Sequence, residues 1–402
     1  MLTRRSFGAL GLSAAALSAA APALAQGAPV KVGELNSYGR MAAFAGPYRN
    51  GLDLALAEVN AKGGVLGGRP LEFVIRDDGA TPGDAVRVAE ELVTRENVAF
   101  LVGTFLSNVG LAVADFANQK KTLFIASEPL SDTITMSNGN PYTFRVRPST
   151  YMQTKMLVDV AKAKNVKKWA IVAPNYEYGQ SAAASFKRLI KEANPAAEIV
   201  AEQYPALGKV DAGATVSALA QANADGIFNV LFGADLPPFV REGNTRGLFT
   251  GKTVVSLLTG EPEYLLPLKD ETPEGWIVTG YPWEQITDPA HKAFVDAYRA
   301  KFNDTPRLGS FLGYVVVMMV RDLINKAGNT DTDKLIATFK GMEFDTIGGK
   351  ATMRGIDQQM SLGAWVGITT QKGGVGVMKD WTYVDGKTVM YSEAEVTAAR
   401  KK

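Results

Sequence analysis

From Val30 onward the chain alternates short apolar or β-branched runs with amphipathic segments, the pattern of a parallel sheet covered by helices on both faces. Residues 30–35 predict the first strand. After it, Leu52, Ala55, Leu56 and Val59 fall at i, i+3, i+4 and i+7, one apolar helical stripe, and Lys62-Gly63-Gly64 ends that helix where glycine accepts a left-handed cap. Residues 71–76 predict a second strand. Thr81-Pro82-Gly83-Asp84 is a helix start: a hydroxyl at the cap, proline at the first helical position and a carboxylate three residues past the cap. Strands over 98–103 and 122–126 flank a helix around 111–117.

Beyond an extended stretch at 142–148 the alternation restarts, with a helix near 152–163 and strands at 169–173, 198–204 and 226–232. A strand at 275–281 precedes helices near 289–302 and 309–327, and the tail from Thr346 is rich in strand formers. The expected fold class is α/β, with two Rossmann-like lobes, each built on a parallel sheet. Such sheets bind ligands at the carboxyl ends of their strands. The candidate loops are therefore residues 36–46, 104–108, 127–132, 174–179, 233–238 with Asp235, and 258–264. Their Ser, Thr, Asn, Glu, Asp and aromatic side chains suit a small polar molecule.

Length supports two domains, because a chain of 402 residues exceeds what a single core usually organises. At the start, Arg4-Arg5, a short apolar stretch over 7–21 and Ala23-Leu24-Ala25 read as a twin-arginine signal peptide spanning 1–25, cleaved after Ala25 on export to the periplasm. Removing Arg4 and Arg5 from the 43 basic residues brings them level with the 41 acidic ones. A mature chain of near-zero charge argues against nucleic acid or an anionic membrane as partner. Lys162, Lys164, Lys167 and Lys168 read as a solvated helix end. There is no cysteine, so the exported fold must hold without disulfides and carries no lipid anchor.

Catalytic equipment is sparse. His291, the single histidine, opens an amphipathic helix and is expected at the surface. Without cysteine and with one histidine, no zinc ligand set forms, and neither metal nor cofactor is expected. Ser181 lies in a sequence that lacks the final glycine of a nucleophile elbow and reads as a helix-start residue. Gly63, Gly64, Gly67 and Gly68 follow a helix and precede a strand, the reverse of a phosphate-cradling turn. Asp77-Asp78 reads as capping and solvated. The protein is not expected to be an enzyme.

Several segments resemble a known family: Asn50-Gly51-Leu52 through Glu58-Val59-Asn60-Ala61-Lys62-Gly63-Gly64-Val65, Arg76-Asp77-Asp78, residues 100–103, Tyr176-Glu177-Tyr178-Gly179 and Arg246-Gly247-Leu248. Together they are similar to the type I periplasmic binding proteins of the leucine/isoleucine/valine group, which serve branched-chain amino acid ABC importers. The resemblance covers nearly the whole mature chain. It implies a monomeric substrate-binding component that binds an amino acid-like solute between its lobes and delivers it to a permease and ATPase. It also implies a three-crossing hinge, with lobe one at 30–148 plus 281–357 and lobe two at 149–280 plus 358–402.

Carried over residue by residue, Ser107 matches the serine that holds the ligand's carboxylate and Glu261 the acidic residue that takes its ammonium. Phe44 matches an aromatic wall, and Tyr178 an aromatic of the second lobe that faces the cleft. The chain departs from the family at Glu128-Pro129-Leu130, where small or hydroxyl residues usually complete carboxylate binding; Glu128 is thus a candidate pocket residue of the wrong charge for an anion. Arg40 is a candidate partner for Glu128 or for an anionic ligand. Ala80 and Leu106 occupy the positions of a disulfide found in some members. Tyr38, Phe44, Tyr176, Tyr178, Tyr281 and Trp283 offer more aromatic surface than a small aliphatic needs, so an aromatic acid or an amide is the alternative ligand. A periplasmic ligand sensor is the alternative role.

Overall fold

The computed structural model describes residues 27–401; the signal peptide expected over 1–25 lies outside the described residues. The first sheet is parallel, with strand order β2-β1-β3-β4-β5, from β1 (Val30–Asn36), β2 (Leu71–Asp77), β3 (Leu101–Gly103), β4 (Phe124–Ala126) and β5 (Thr143–Arg145). Between these strands run α1 (Ala42–Ala61), α2 (Pro82–Thr94) and α3 (Ser107–Lys120). Thr81 caps α2 as expected, its hydroxyl accepting from the Asp84 amide at 3.3 Å.

The second sheet has seven strands in the order β14-β13-β10-β9-β8-β6-β7. Its parallel part contains β6 (Lys168–Val172), β7 (Glu198–Gln203), β8 (Gly226–Asn229), β9 (Thr253–Gly260) and β10 (Ile277–Gly280). Helices α4 (Thr150–Ala161), α5 (Glu177–Ala193), α6 (Ala212–Gln221), α7 (Leu236–Thr245) and α8 (Pro262–Leu268) connect or cover them. Past β10 the chain returns to the first sheet's side as α9 (Pro289–Phe302), α10 (Leu308–Ala327), α11 (Thr332–Phe339) and the hairpin β11 (Glu343–Thr346) and β12 (Gly349–Thr352). It then adds β13 (Ala364–Lys372) and β14 (Val375–Val384), both antiparallel, to the second sheet and ends in α12 (Glu393–Arg400). The chain thus passes between the lobes three times, after β5, after β10 and after β12. The first and third passages are stitched together: Arg145 pairs with Gln359 in a parallel bridge, and the Gln359 side chain donates to the Arg147 carbonyl at 3.1 Å.

Strand β9 was not among the expected elements. Ser256 and Thr259 interrupt the apolar pattern, yet both are satisfied inside: Asn229 donates to Ser256 at 2.8 Å, and Ser256 and Thr259 share a bond at 2.6 Å. The expected loop over 36–46 is cut short because α1 already begins at Ala42. Two further expectations are corrected. His291 is buried, not surface-exposed; it faces inward from α9, with Nε2 2.7 Å from the Tyr281 hydroxyl, and burial lowers its pKa to about 4. Asp78 is buried rather than solvated, and its carboxylate accepts from the Ser37 hydroxyl and the Ala80 amide, both at 2.8 Å, to hold the turn after β2.

Helix α10 is the one described helix long and apolar enough to cross a bilayer, and it is buried against α1 instead. Glycines set how closely those two helices approach. A Cβ on Gly51 would lie 1.9 Å from the Ser310 carbonyl oxygen, and one on Gly313 2.1 Å from that of Tyr48. Nothing within 4 Å opposes a Cβ on Gly46, in the same helix. Gly51→Ala should therefore lower stability by about 1–3 kcal/mol through overpacking, while Gly46→Ala should be neutral or stabilise by up to about 1 kcal/mol through helix propensity. Urea denaturation checks both; equal effects would mean that α1 and α10 are not in close contact.

Candidate functional site

The carboxyl ends of β3, β4 and β5 in one lobe face those of β6, β8 and β9 in the other, and a narrow pocket lies between them. The first lobe contributes Phe105, Ser107, Glu128, Leu130 and Arg147; the second contributes Tyr176, Tyr178, Phe232 and Leu258. Aromatic rings form one wall: Phe232 lies 5.6 Å from Tyr178 and 6.2 Å from Tyr176, centroid to centroid. More rings close the mouth. Phe44 stacks on Phe105 at 5.2 Å within the first lobe and meets Tyr264 at 5.6 Å and Phe232 at 6.3 Å from the second. Centroid separations of about 4.5–7 Å are those of favourable aromatic pairs, so these contacts hold the lobes together at the mouth. Polar contacts do the same beside α3, where the Ser131 hydroxyl donates to Glu177 at 2.6 Å.

Each polar group in the pocket is set by its element. Ser107 is the first residue of α3, and its Oγ accepts from the amides of Leu130 at 3.2 Å and Ser131 at 3.1 Å. Both lone pairs are engaged, which leaves the hydroxyl hydrogen to give. Glu128 follows β4 and is 2% exposed; Asn36, at the end of β1, donates to it at 3.0 Å. Burial pushes its pKa up to about 8, with Glu263 adding to the rise and Asn36 and Arg147 opposing it.

Arg147 leaves β5 at the first passage and donates from Nη2 to Glu261, at the start of α8. Burial works against its charge, but Glu261, Glu128, Tyr264 and Glu263 together hold its pKa above the usual arginine value. Burial drives Glu261 upward and Arg147 pulls it down. Because a guanidinium stays protonated in proteins, the state the two share is the ion pair. Among the described residues Glu128 forms no ion pair, and burial keeps it protonated at neutral pH. Glu263 is also raised by burial and accepts the Leu308 and Gly309 amides, at 3.3 and 3.0 Å, where α10 begins.

Of the residues singled out in the sequence, Ser107, Glu128 and Tyr178 meet in this pocket, and Phe44 forms part of its mouth. Glu261 lies on the other side of Arg147, facing a second narrow space walled by Phe311, Leu312 and Trp365 at the passages. Asp235 borders the outer mouth, and its carboxylate is occupied by the amides of Gly208 at 2.7 Å and Val210 at 3.0 Å. Arg40 is exposed at that mouth, and Asn36 takes the place beside Glu128 suggested for it. Tyr38 bonds Glu34 at 2.8 Å, Tyr281 bonds His291, and Trp283 borders a separate groove, so none of these three rings lines the pocket. Sequence reasoning missed Arg147, Phe105 and Phe232. One signal for Arg147 was available: Arg145 and Arg147 interrupt an otherwise apolar extended run that ends in proline, and both are buried.

A family model described as a periplasmic binding protein matches residues 29–374. The "Leu/Ile/Val-binding protein homolog 7" of Brucella suis biovar 1 (strain 1330) is 28% identical over 357 residues, covering 85% of this chain and 86% of that one. A leucine-, isoleucine-, valine-, threonine- and alanine-binding protein of Pseudomonas aeruginosa is 27% identical over 315 residues, 77% of this chain and 81% of its own. Among solved structures, a solute-binding protein of an ABC transporter from Rhodopseudomonas palustris BisB5, in complex with 3,4-dihydroxybenzoic acid, superposes with a TM-score of 0.80 at 23% identity, covering 89% and 98% of the two chains. A leucine binding protein from Thermotoga maritima MSB8 gives 0.76 at 22% identity, covering 88% and 98%. These structures share the two-lobe fold.

The raised pKa of Glu128 has a consequence for stability. The folded state holds this proton more tightly than the unfolded chain, so the stability it contributes is complete below the ordinary carboxylate range and is lost as pH rises through about 8. Glu128→Gln, which keeps the Asn36 bond, should flatten that decline and be more stable than wild type at alkaline pH by about 1–3 kcal/mol, the cost of an uncompensated buried charge. Denaturant titrations of both proteins without added ligand, at mildly acidic and mildly alkaline pH, test this; parallel pH profiles would show that Glu128 is not neutral in the folded protein.

Proposed function

The chain belongs to the periplasmic binding protein family, and on that footing we propose that it is the substrate-binding component of an ABC importer, closing two lobes around an amino acid-like solute. The observation that carries this reading is the convergence of Ser107, Glu128 and Arg147, all buried, on one aromatic-walled pocket to which both lobes contribute. A ligand there touches both lobes, and only such differential contact favours their closed arrangement. The Ser107 hydroxyl gives its hydrogen to the ligand, Glu128 receives an ammonium group, and Tyr176, Tyr178 and Phe232 pack its apolar body. Phe44 completes the lid, and Glu261 acts from the second lobe through Arg147. The lobes run from 30–148 plus 281–357 and from 149–280 plus 358–402. The protein binds without turnover, works as a monomer, takes no nucleic acid, and hands its ligand to a membrane permease driven by an ATPase.

A second ligand class, an aromatic acid, is favoured by one observation: Phe105, Tyr176, Tyr178 and Phe232 surround a single pocket. The pH dependence of affinity separates the two classes. An ammonium seated on Glu128 requires the ionised carboxylate, so binding releases its proton and affinity should rise as pH increases toward about 8. A ligand that presents no cation there should bind equally well or more weakly over the same range. Calorimetric titrations with leucine, phenylalanine, benzoate and hydroxybenzoates across this range decide between them; failure of every compound to bind would remove both.

The family resides in the periplasm, and Arg4-Arg5 leads us to assign export to the twin-arginine route. Replacing both arginines with lysine should leave precursor in the cytoplasm. Undiminished mature protein in a periplasmic extract would overturn this route while leaving export itself in place.

A further inference from the structure

We propose that Arg147 is the group that holds the ligand's carboxylate, with Glu261 as its fixed partner rather than a ligand contact. The inference rests on the binding-protein reading above and names the chemistry its pocket selects. Arg147 is 5% exposed and borders both the pocket shared with Ser107 and Glu128 and the space behind it that contains Glu261. A guanidinium offers five donors in a planar fork. Among the described residues, the Arg147 side chain donates only to Glu261, from Nη2.

Arg145, two residues earlier in the same extended run, shows the contrast. It is equally buried, and the protein satisfies all of its nitrogens: Nε on Gln359, Nη1 on the carbonyls of Leu130 and Ser131, and Nη2 on Thr135 at 2.9 Å. Arg145 is a structural fastener between the first and third passages. Arg147 has the same chemistry but keeps most of its fork for whatever enters the pocket. A planar carboxylate accepts from such a fork with two parallel bonds, a match that neither an amide nor an ester reproduces.

Charge does not stand in the way. Glu128, on the same pocket wall, adds no negative charge while protonated, and when ionised it is cancelled by a ligand ammonium, so the carboxylate on the fork is the one charge the Arg147–Glu261 pair has to accommodate. The site then selects carboxylates, with Arg147 as the anchor, Ser107 and Glu128 on the same pocket wall, and the aromatic rings around the ligand's apolar body.

The experiment measures acid-over-amide preference by calorimetry, using leucine, phenylalanine and benzoate, each against its carboxamide. Wild type and Glu261→Gln should both prefer acids by about 10- to 100-fold. Arg147→Gln should bring acid and amide to within about threefold of each other. The double variant Arg147→Gln/Glu261→Gln, which strands no carboxylate, should behave likewise and keeps the test open if the single variant fails to fold. A simple packing role for Arg147 would weaken acids and amides equally. Acid preference that persists in a folded double variant, or a wild-type protein that binds acids and amides alike, overturns the proposal and leaves the binding-protein reading standing. A wild-type protein that binds none of these compounds removes both.

Discussion

Taking a guanidinium out of water costs several kcal/mol unless a carboxylate and further hydrogen bonds replace the lost hydration. Arg147 is such a group, placed where the chain leaves the first sheet for the second, and its replacement partner Glu261 comes from the other lobe. The pair therefore ties the two lobes at the base of the cleft, behind the ligand pocket rather than across its mouth. Removing either partner would strand a buried charge, so the pair defines one arrangement of the passages even where it adds little net stability. Around it, Gln359 fastens Arg145 and the Arg147 carbonyl, and Gln153 bonds the Pro148 carbonyl and Thr279, at 3.0 Å each. The base of the cleft is thus a continuous polar network drawn from all three passages.

Above this network the cleft is built from aromatic rings and excess carboxyl groups. Glu128, Glu261 and Glu263 face a single guanidinium, and the protein manages the imbalance by three different means. Glu261 pairs with Arg147, Glu263 accepts amides at the start of α10, and Glu128 is kept in its neutral form by burial, against the opposing pull of its Asn36 bond. Three carboxyls close together with three protonation environments make the cleft responsive to the charge of what enters it. The rings at the mouth add apolar contact that forms only when Phe44 and Phe105 of one lobe reach Phe232 and Tyr264 of the other. Closure and ligand selection therefore draw on separate groups, the outer rings and the inner polar residues.

The architecture was legible in the sequence wherever the signal is local. The apolar stripe from Leu52 to Val59, the Thr81 cap and the glycines after Lys62 each act within one or two turns of the chain, and α2 and the end of α1 lie where those signals place them. The alternation of strands and helices gave the α/β class for the same reason. Strand β9 was not legible, since Ser256 and Thr259 look polar in sequence and become core residues only when Asn229 on the neighbouring strand supplies a partner. His291 was misjudged in the same way: a histidine near a helix start looks solvated until Tyr281, ten residues earlier on the second passage, meets its ring.

For the site, loop position marked the neighbourhood, because strand-to-helix loops of parallel sheets converge whatever their sequence, and the family resemblance picked out Ser107, Glu128 and Tyr178 within it. What the chain could not reveal by itself was pairing. In sequence Arg40 and solvent were both open to Glu128, and the tertiary structure gives it Asn36 and a buried position. Asp235 stood in a cleft loop, and the fold commits its carboxylate to the amides of Gly208 and Val210. Arg147 and Glu261 are 114 residues apart, and no local pattern links them. Burial and the partner that offsets it are properties of distance in space, so the sequence by itself determined the fold and the site's neighbourhood, while only the tertiary structure decided which charges are neutralised and which remain for a ligand.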